Sequence, residues 1–321
     1  MQFLGHELGG SLILAPMAGV TDPAFRTVCA ELGAAVTVTE MVSSRALVYQ
    51  DKKSRPLLRK NEGSLCGAQL FGNDPEIMAQ AAVLALEYSH CDFIDINMGC
   101  PMPKVVNNGD GCALMRDPLL AGRIVEAVSR AVPVPVTVKM RLGWDKSSVN
   151  APVLAHIVQE SGVQAVAVHG RTKTMLYAGK ADWDAIGEVV RAVDIPVIAN
   201  GDLCSPESLL RCRAHTGARL FMLGRGTLGD PWLFSELNAA LRGEPSFTRP
   251  PLSERMDVAA RQFSLALADK GEHIACLEAR KHLAWYLRGV AHSAYYKDEV
   301  SRLTTFTDVE EVIKRIKRDL R

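Results

Sequence analysis

The chain has no C-x-x-C pair, no long apolar run and no excess of either charge. Each absence excludes something. The eight cysteines, at 29, 66, 91, 100, 112, 204, 212 and 276, form no evenly spaced frame. A zinc site or disulfide scaffold is therefore not expected, no metal is called for, and a reducing, cytoplasmic setting fits best. No apolar run approaches the ~18 residues of a membrane span, and no basic segment precedes an apolar core at the N-terminus, so no membrane role is expected. With 37 Lys and Arg against 36 Asp and Glu, the formal charge is +1. Any nucleic-acid contact must then rest on a local patch, not on bulk charge.

What is present is an ordinary globular composition, 48% hydrophobic and 23% charged over 321 residues, enough for one large α/β domain and a small one. From Ser11 to about Leu241 a short apolar strand, a turn and a helix alternate. The expected strands are Leu12–Pro16, Ala35–Glu40, Leu65–Phe71, Phe93–Asn97, Val134–Arg141, Ala165–His169, Val197–Asn200 and Leu220–Gly224. Helices are expected to start near Asp22, Ser43, Asp74, Asp117, Val149, Asp182, Ser205 and Asp230. Several open on an Asp or Ser cap followed by Pro, the preferred first helical residue. Eight apolar βα units in roughly 240 residues suit a closed (β/α)8 TIM barrel. Gly243, Pro245, Pro250 and Pro251 then break every period. Beyond them Glu254–Asp269, Glu272–Val290 and Val309–Leu320 have helical patterns, with a further helix between Ser293 and Thr305. The expected organisation is a barrel over 1–242, a linker over 243–252 and a small all-α domain over 253–321.

In such a barrel the working residues gather at the carboxyl ends of the strands. The stretch Ile94–Lys104 carries the sharpest signal. Pro101 and Pro103 stop both strand and helix there, leaving Cys100 at a strand end. A thiol of ordinary pKa, near ~8.5, is mostly protonated at neutral pH, so Cys100 could give up a proton as well as attack as a nucleophile. The plain alternative is a small buried hydrophobe. Other strand ends offer Pro16-Met17-Ala18, Gln69, Asn97, Lys139 with Arg141 on one face, His169-Gly170-Arg171, Asn200-Gly201-Asp202 and Gly224-Arg225-Gly226. Glycine-rich turns after the seventh and eighth strands form the usual phosphate site of this architecture. Gly224–Gly229 also satisfies G-x-G-x-x-G, but at the wrong place in the chain for a dinucleotide fold.

Six segments taken together resemble the tRNA-dihydrouridine synthases: Leu14–Asp22, Asp95–Pro101, Val138–Trp144, Val168–Thr172, Ile198–Asp202 and Leu223–Gly226. The stretch Ala279–Gly289 is similar to the bacterial branch related to the nitrogen-regulation-associated protein. The likeness runs through essentially the whole chain in consistent order. It implies a barrel that binds FMN, reduction of that flavin by NADPH, and saturation of the C5–C6 bond of a tRNA uridine, with the helical domain helping to hold the tRNA. It further implies hydride delivery from flavin N5 to uracil C6 while Cys100 protonates C5.

The same resemblance places Lys139 beside flavin N1 and O2, Pro16, Met17 and Ala18 along the ring, Gln69 at its pyrimidine edge and His169 nearby. Asn200, Gly201, Asp202, Gly224 and Arg225 are expected to hold the ribityl chain and phosphate, and Asn97 to stand between flavin and base. RNA contacts are expected from Lys104, Arg141 and Arg171 at the mouth and from Arg280, Lys281 and Arg288 on one C-terminal helix. Residues 243–321 hold 14 basic and 12 acidic residues, so a basic face there must come from arrangement. Trp285 and Tyr286 have the pattern of core residues. The Asn107–Cys112 segment keeps Gly109 and Gly111 and is expected to close over the base. The self-association state is left open, with a monomer favoured. Two rivals remain: another FMN barrel oxidoreductase acting on a small unsaturated substrate, and a catalytically silent RNA-binding relative.

Overall fold

The computed structural model describes residues 2–245 and 247–320. Eight parallel strands close into a barrel: β1 (Leu12–Leu14), β2 (Val36–Val38), β3 (Leu65–Phe71), β4 (Phe93–Met98), β5 (Val136–Arg141), β6 (Ala165–His169), β7 (Val197–Asn200) and β8 (Leu220–Leu223). Each pairs with the next, and β8 returns to β1 with Leu223 opposite Leu14, so no edge of the ring is left unpaired. Around it lie α1 (Pro23–Glu31), α2 (Ser44–Val48), α3 (Pro75–Ser89), α4 (Pro118–Ala131), α5 (Ala151–Glu160), α6 (Trp183–Ala192), α7 (Pro206–Thr216) and α8 (Leu233–Arg242).

The caps work as the sequence suggests. The side chains of Asp22, Asp74, Asp117, Asp182 and Ser205 each accept a backbone N–H of the first turn of their helix, which satisfies donors that have no intrahelical partner. Two expected starts shift. Val149 pairs with Gly143 in an isolated bridge, so α5 begins at Ala151. Asp230 is taken by Arg249 at 2.6 Å, and α8 begins at Leu233. The first strand also ends before Ala15 and Pro16, although the Ala15 N–H still donates to Leu223 O at 2.8 Å.

Two apolar layers hold the barrel. One lies between strands and helices, with Leu14, Phe25, Ile96 and Phe234. The other fills the barrel interior below the mouth, with Ile13, Val38, Phe93 and Ile198. An N-terminal hairpin, Gln2–Phe3 with His6–Glu7, was not expected from the sequence; its Phe3 and the following Leu8 join that lower layer.

After the Pro-rich break come α9 (Leu252–Lys270), α10 (Glu272–Tyr286), α11 (Ala294–Val300) and α12 (Phe306–Asp319). They share their own apolar cluster, including Met256, Phe263, Leu283, Tyr286 and Ile313, which Trp232 from the barrel side enters. Contacts between α1 and α9 dock this bundle beside the first βα unit. Among the described residues no helix is long and apolar enough to cross a membrane.

Candidate active site

Inward-facing residues of neighbouring parallel strands stack in layers, because side chains alternate along each strand and the register is fixed. Gln69, Asp95 and Thr137 stand side by side in one layer across β3, β4 and β5. One layer higher, Asn97 stands beside Lys139. Above them opens a cavity of about 1010 Å³ at the carboxyl ends of the strands.

The cavity is lined by Ala15, Pro16, Met17 and Ala18 after β1, by Gln69, Asn97 and Cys100, by Lys139, Arg141 and His169, and by the turns Asn200–Cys204 and Gly224–Gly226. Cys100 is half-buried there. Burial pushes its thiol up from the ordinary range, while the Met102 backbone and the nearby Arg141 and Lys139 pull the other way. The net result is a neutral thiol beside two cations.

Lys139 is held down to about 8, chiefly by burial and then by Arg141, with Asp95 opposing. Its Nζ donates to Asn200 Oδ1 at 3.2 Å. Among the described residues no carboxylate pairs with it directly, so its charge is available to a ligand in the cavity. His169 is pushed down to about 2 by burial and by the surrounding Lys139, Arg141, Arg171 and Arg225. It is therefore a neutral imidazole, and with Arg171 Nη1 3.3 Å from its Nε2 that nitrogen must be the acceptor.

The turns after β7 and β8 line the cavity with glycines. Gly201 has φ +122°, and a Cβ there would lie 2.8 Å from the Ala181 side chain. Arg225 is half exposed, stacks its guanidinium 4.5 Å from the Tyr177 ring centre, and approaches Asp202 at 4.0 Å. These features suit an anionic, flat ligand. An apolar strip from Pro16 to Ala18 would meet a ring, a desolvated ammonium would meet its electron-rich edge, and Arg225 beside two glycine turns would meet a phosphate. The residues present thus fit a flavin mononucleotide.

Not every expected residue reaches this cavity. Arg171 is buried, with its side chain 2% exposed. Its guanidinium donates to Ala178 O at 3.1 Å, Gly179 O at 2.6 Å and Asp202 Oδ2 at 2.8 Å, so it braces the loop after β6 instead of facing RNA at the mouth. Asp202 is correspondingly engaged by Arg171 and by the Ala181 N–H at 2.7 Å. Arg141 lines the cavity while donating to the carbonyls of Gly99, Thr172 and Leu176. Lys104 is exposed beyond Cys100. Arg280 donates to Leu303 O inside the helical bundle, at 2.9 Å from Nε. Lys281 donates to Gly19 O in the loop after β1, whose N–H is in turn held by Glu40.

Trp285 and Arg288 complete the cavity wall from the end of α10. The expectation that both Trp285 and Tyr286 are core holds only for Tyr286, which is fully buried and donates to Gln262 Oε1 at 2.9 Å. Neighbours on a helix point in different directions, so Trp285 is left facing the barrel mouth. Sequence reasoning also passed over Met41 and Tyr177, which enter the cavity from loops.

A family model described as dihydrouridine synthase matches residues 13–320. The chain is 41% identical over 310 residues to a protein of Rickettsia conorii named as a probable tRNA-dihydrouridine synthase, covering 96% of this chain and 93% of that one. It is 40% identical over 299 residues to tRNA-dihydrouridine synthase B of Pseudomonas aeruginosa, covering 93% and 90%, and 44% identical over 284 residues to the protein of that name from Pseudomonas putida, covering 88% and 84%. Among solved structures, histamine dehydrogenase from Rhizobium sp. 4-9 superposes with a TM-score of 0.58 at 14% identity, over 83% of this chain and 50% of that one. At that identity the likeness concerns the barrel fold alone. With a matching model over nearly its whole length and relatives above 40% identity, the chain belongs to the dihydrouridine synthase family, a family of oxidoreductases.

Proposed function

We propose that this enzyme reduces the C5–C6 bond of specific uridines in tRNA to 5,6-dihydrouridine, with FMN as resident cofactor and NADPH as electron donor. The observation that carries this reading is the pairing of a neutral thiol, Cys100, with a desolvated cation, Lys139, on the wall of one flavin-sized cavity. Bound and reduced FMN supplies the hydride that C6 of the uracil accepts. Accepting it leaves an enolate on the base, and a positioned acid must quench that charge at C5. Cys100 is that acid; its elevated thiol keeps the proton available through neutral pH.

Lys139 holds the electron-rich edge of the ring by fixed charge. Pro16, Met17 and Ala18 cover one face of it, with Gln69 and His169 at its rim. Asn200, Gly201, Asp202, Gly224 and Arg225 receive the ribityl chain and phosphate. Asn97 borders the substrate base. Arg141, Lys104, Lys281 and Arg280 are assigned to RNA at the mouth and on the helical domain, residues 253–321, which grips tRNA as the barrel, residues 1–242, works on the base. Arg171 is assigned to RNA only through the loop it braces. The enzyme is read as cytoplasmic, with its self-association left open and a monomer favoured.

One spectrum tests the reading. Purified protein is expected to carry a flavin absorbance that NADPH bleaches and undermodified tRNA restores. Restoration by a small unsaturated acceptor such as orotate, but not by RNA, would instead favour the other FMN oxidoreductases.

A further inference from the structure

An uninterrupted chain of hydrogen bonds runs from the barrel interior to the Cys100 turn. Thr137 Oγ1 donates to Asp95 Oδ1 at 2.5 Å, and Gln69 Nε2 donates to Asp95 Oδ2 at 2.6 Å. Gln69 Oε1 accepts from Asn97 Nδ2 at 2.9 Å. Asn97 Oδ1 accepts from the N–H groups of Gly99 at 3.1 Å and Cys100 at 2.9 Å. All four side chains are less than a tenth exposed.

Gln and Asn amides are ambivalent: each offers a donor end and an acceptor end, and nothing intrinsic decides which way either points. A carboxylate only accepts. Asp95 therefore forces the Gln69 nitrogen toward itself, which turns the Gln69 oxygen toward Asn97. That in turn aims the Asn97 oxygen at the two N–H groups that fix the turn carrying Cys100. The sense of the whole relay comes from its buried end. We propose that Asp95 is a positioning residue, which sets the direction of the Gln69–Asn97 amide relay and thereby holds the Cys100 thiol against the cavity. The proposal builds on the reading of Cys100 as the acid, but its consequence is a property of the free thiol.

Reversal of the relay gives the test. In Asn97→Asp Gln69 stands between two acceptor-only groups: keeping its nitrogen on Asp95 leaves its oxygen facing the new carboxylate, and that repulsion pushes the side chain at 97 off the Gly99 and Cys100 N–H groups. Adding Asp95→Asn supplies a donor at the buried end, so Gln69 can turn over, donate to the carboxylate at 97 and accept from the amide at 95, while Thr137 still donates. The double variant restores every pairing of the relay with the direction inverted; only the contact of Asn97 Nδ2 with Met41 Sδ at 3.6 Å is lost. Alkylation by iodoacetamide is followed by peptide mass spectrometry on the flavin-loaded protein, using Cys204, which is exposed and lines the same cavity, as internal reference. Bound flavin absorbance and the melting temperature are recorded alongside.

The Cys100:Cys204 rate ratio is expected to rise about tenfold in Asn97→Asp and in Asp95→Leu, as release of the turn opens the sulfur to the reagent; the charge added at position 97 opposes this equally in the single and the double variant, so their comparison reads the relay alone. It is expected to return to within about twofold of the parent in the double variant. If Asn97→Asp does not fold and the double variant does, the relay is equally supported. A ratio unchanged in both single variants, or no better in the double than in Asn97→Asp, overturns the proposal, as does failure of both variants at position 97 to fold. Uridine reduction by the parent and by Cys100→Ala is measured separately, so that the acid assignment can fail while the relay stands.

Discussion

Lys139 Nζ donates to Asn200 Oδ1 at 3.2 Å, joining β5 to β7 across the mouth of the barrel over the intervening strand. Asn200 is neutral, and its own Nδ2 is committed to Met222 O at 2.7 Å. The ammonium is thus oriented without being neutralised. An anionic ligand in the cavity gains most from a cation left in that state.

The cost of that arrangement is visible in pH. Burial holds Lys139 down to about 8, below the ~10.4 of an unfolded lysine. Between those values the unfolded chain binds the extra proton, so stability rises with pH across the window, and the full cost of the buried charge is felt below it. In flavin-free protein, Lys139→Met is expected to melt higher than the parent at pH 7, with the advantage shrinking toward pH 10. The same variant should lose bound flavin. A constant difference in melting temperature from pH 7 to 10, or undiminished flavin content, would refute the assignment.

Cys100 shifts in the opposite direction for the same reason: burial disfavours the anion of a thiol as it disfavours the cation of an amine. Cys100→Ala is therefore expected to keep flavin and NADPH oxidation while uridine reduction falls by about 10²-fold or more. In the parent, single-turnover reduction of tRNA should not lose its acid until the pH passes the ordinary thiol range. Stopped-flow flavin reoxidation by tRNA across pH 6 to 10 checks both.

Much of this site was legible in the sequence because alternation along parallel strands is rigid. Lys139 and Arg141, or Asp95 and Asn97, lie two apart and so share the inward face. Loops beyond the strand ends are less constrained. Arg171 lies past His169, and its surroundings depend on how residues 172–182 fold back to offer the carbonyls of Ala178 and Gly179; no local pattern announces that. Tyr177 and Met41 arrive by the same kind of loop geometry. Asp95 was plain in the motif but carried no role, because its effect depends on Gln69 and Asn97 relaying it.

The burial of Arg171 leads to a contrast with Arg288, which is exposed at the cavity wall. A phosphate contact contributes to the salt dependence of RNA binding, whereas a buried brace does not. Arg288→Ala is expected to lower the slope of log K against log salt by about one, with little change in melting temperature. Arg171→Ala should leave the slope alone and destabilise the fold by about 3–5 kcal/mol, because Asp202 loses its buried partner. That figure is an upper one, since Asp202 is itself partly exposed. Filter binding of tRNA at several salt concentrations, with thermal melts, separates the two roles; identical slopes for parent and Arg288→Ala would remove Arg288 from the RNA surface.

The helical bundle reaches the cavity through one close backbone approach. Gly229, in the turn after β8, has φ +73°, and a Cβ there would come within 2.2 Å of the Trp285 carbonyl carbon. Real Cβ atoms do not tolerate that distance, so any side chain must push the end of α10 away from the barrel, carrying Trp285 and Arg288 off the cavity wall. The barrel itself keeps its closed ring and the cavity lining on its own strands. Gly229→Ala is therefore expected to raise the KM for tRNA by about tenfold or more, a displacement costing roughly 1.4 kcal/mol in binding, while NADPH oxidation by bound flavin stays near the parental rate. Trp285 fluorescence should shift to the red as its indole meets water. Parental tRNA affinity in a folded Gly229→Ala protein would mean that the bundle contributes nothing to the substrate through this wall.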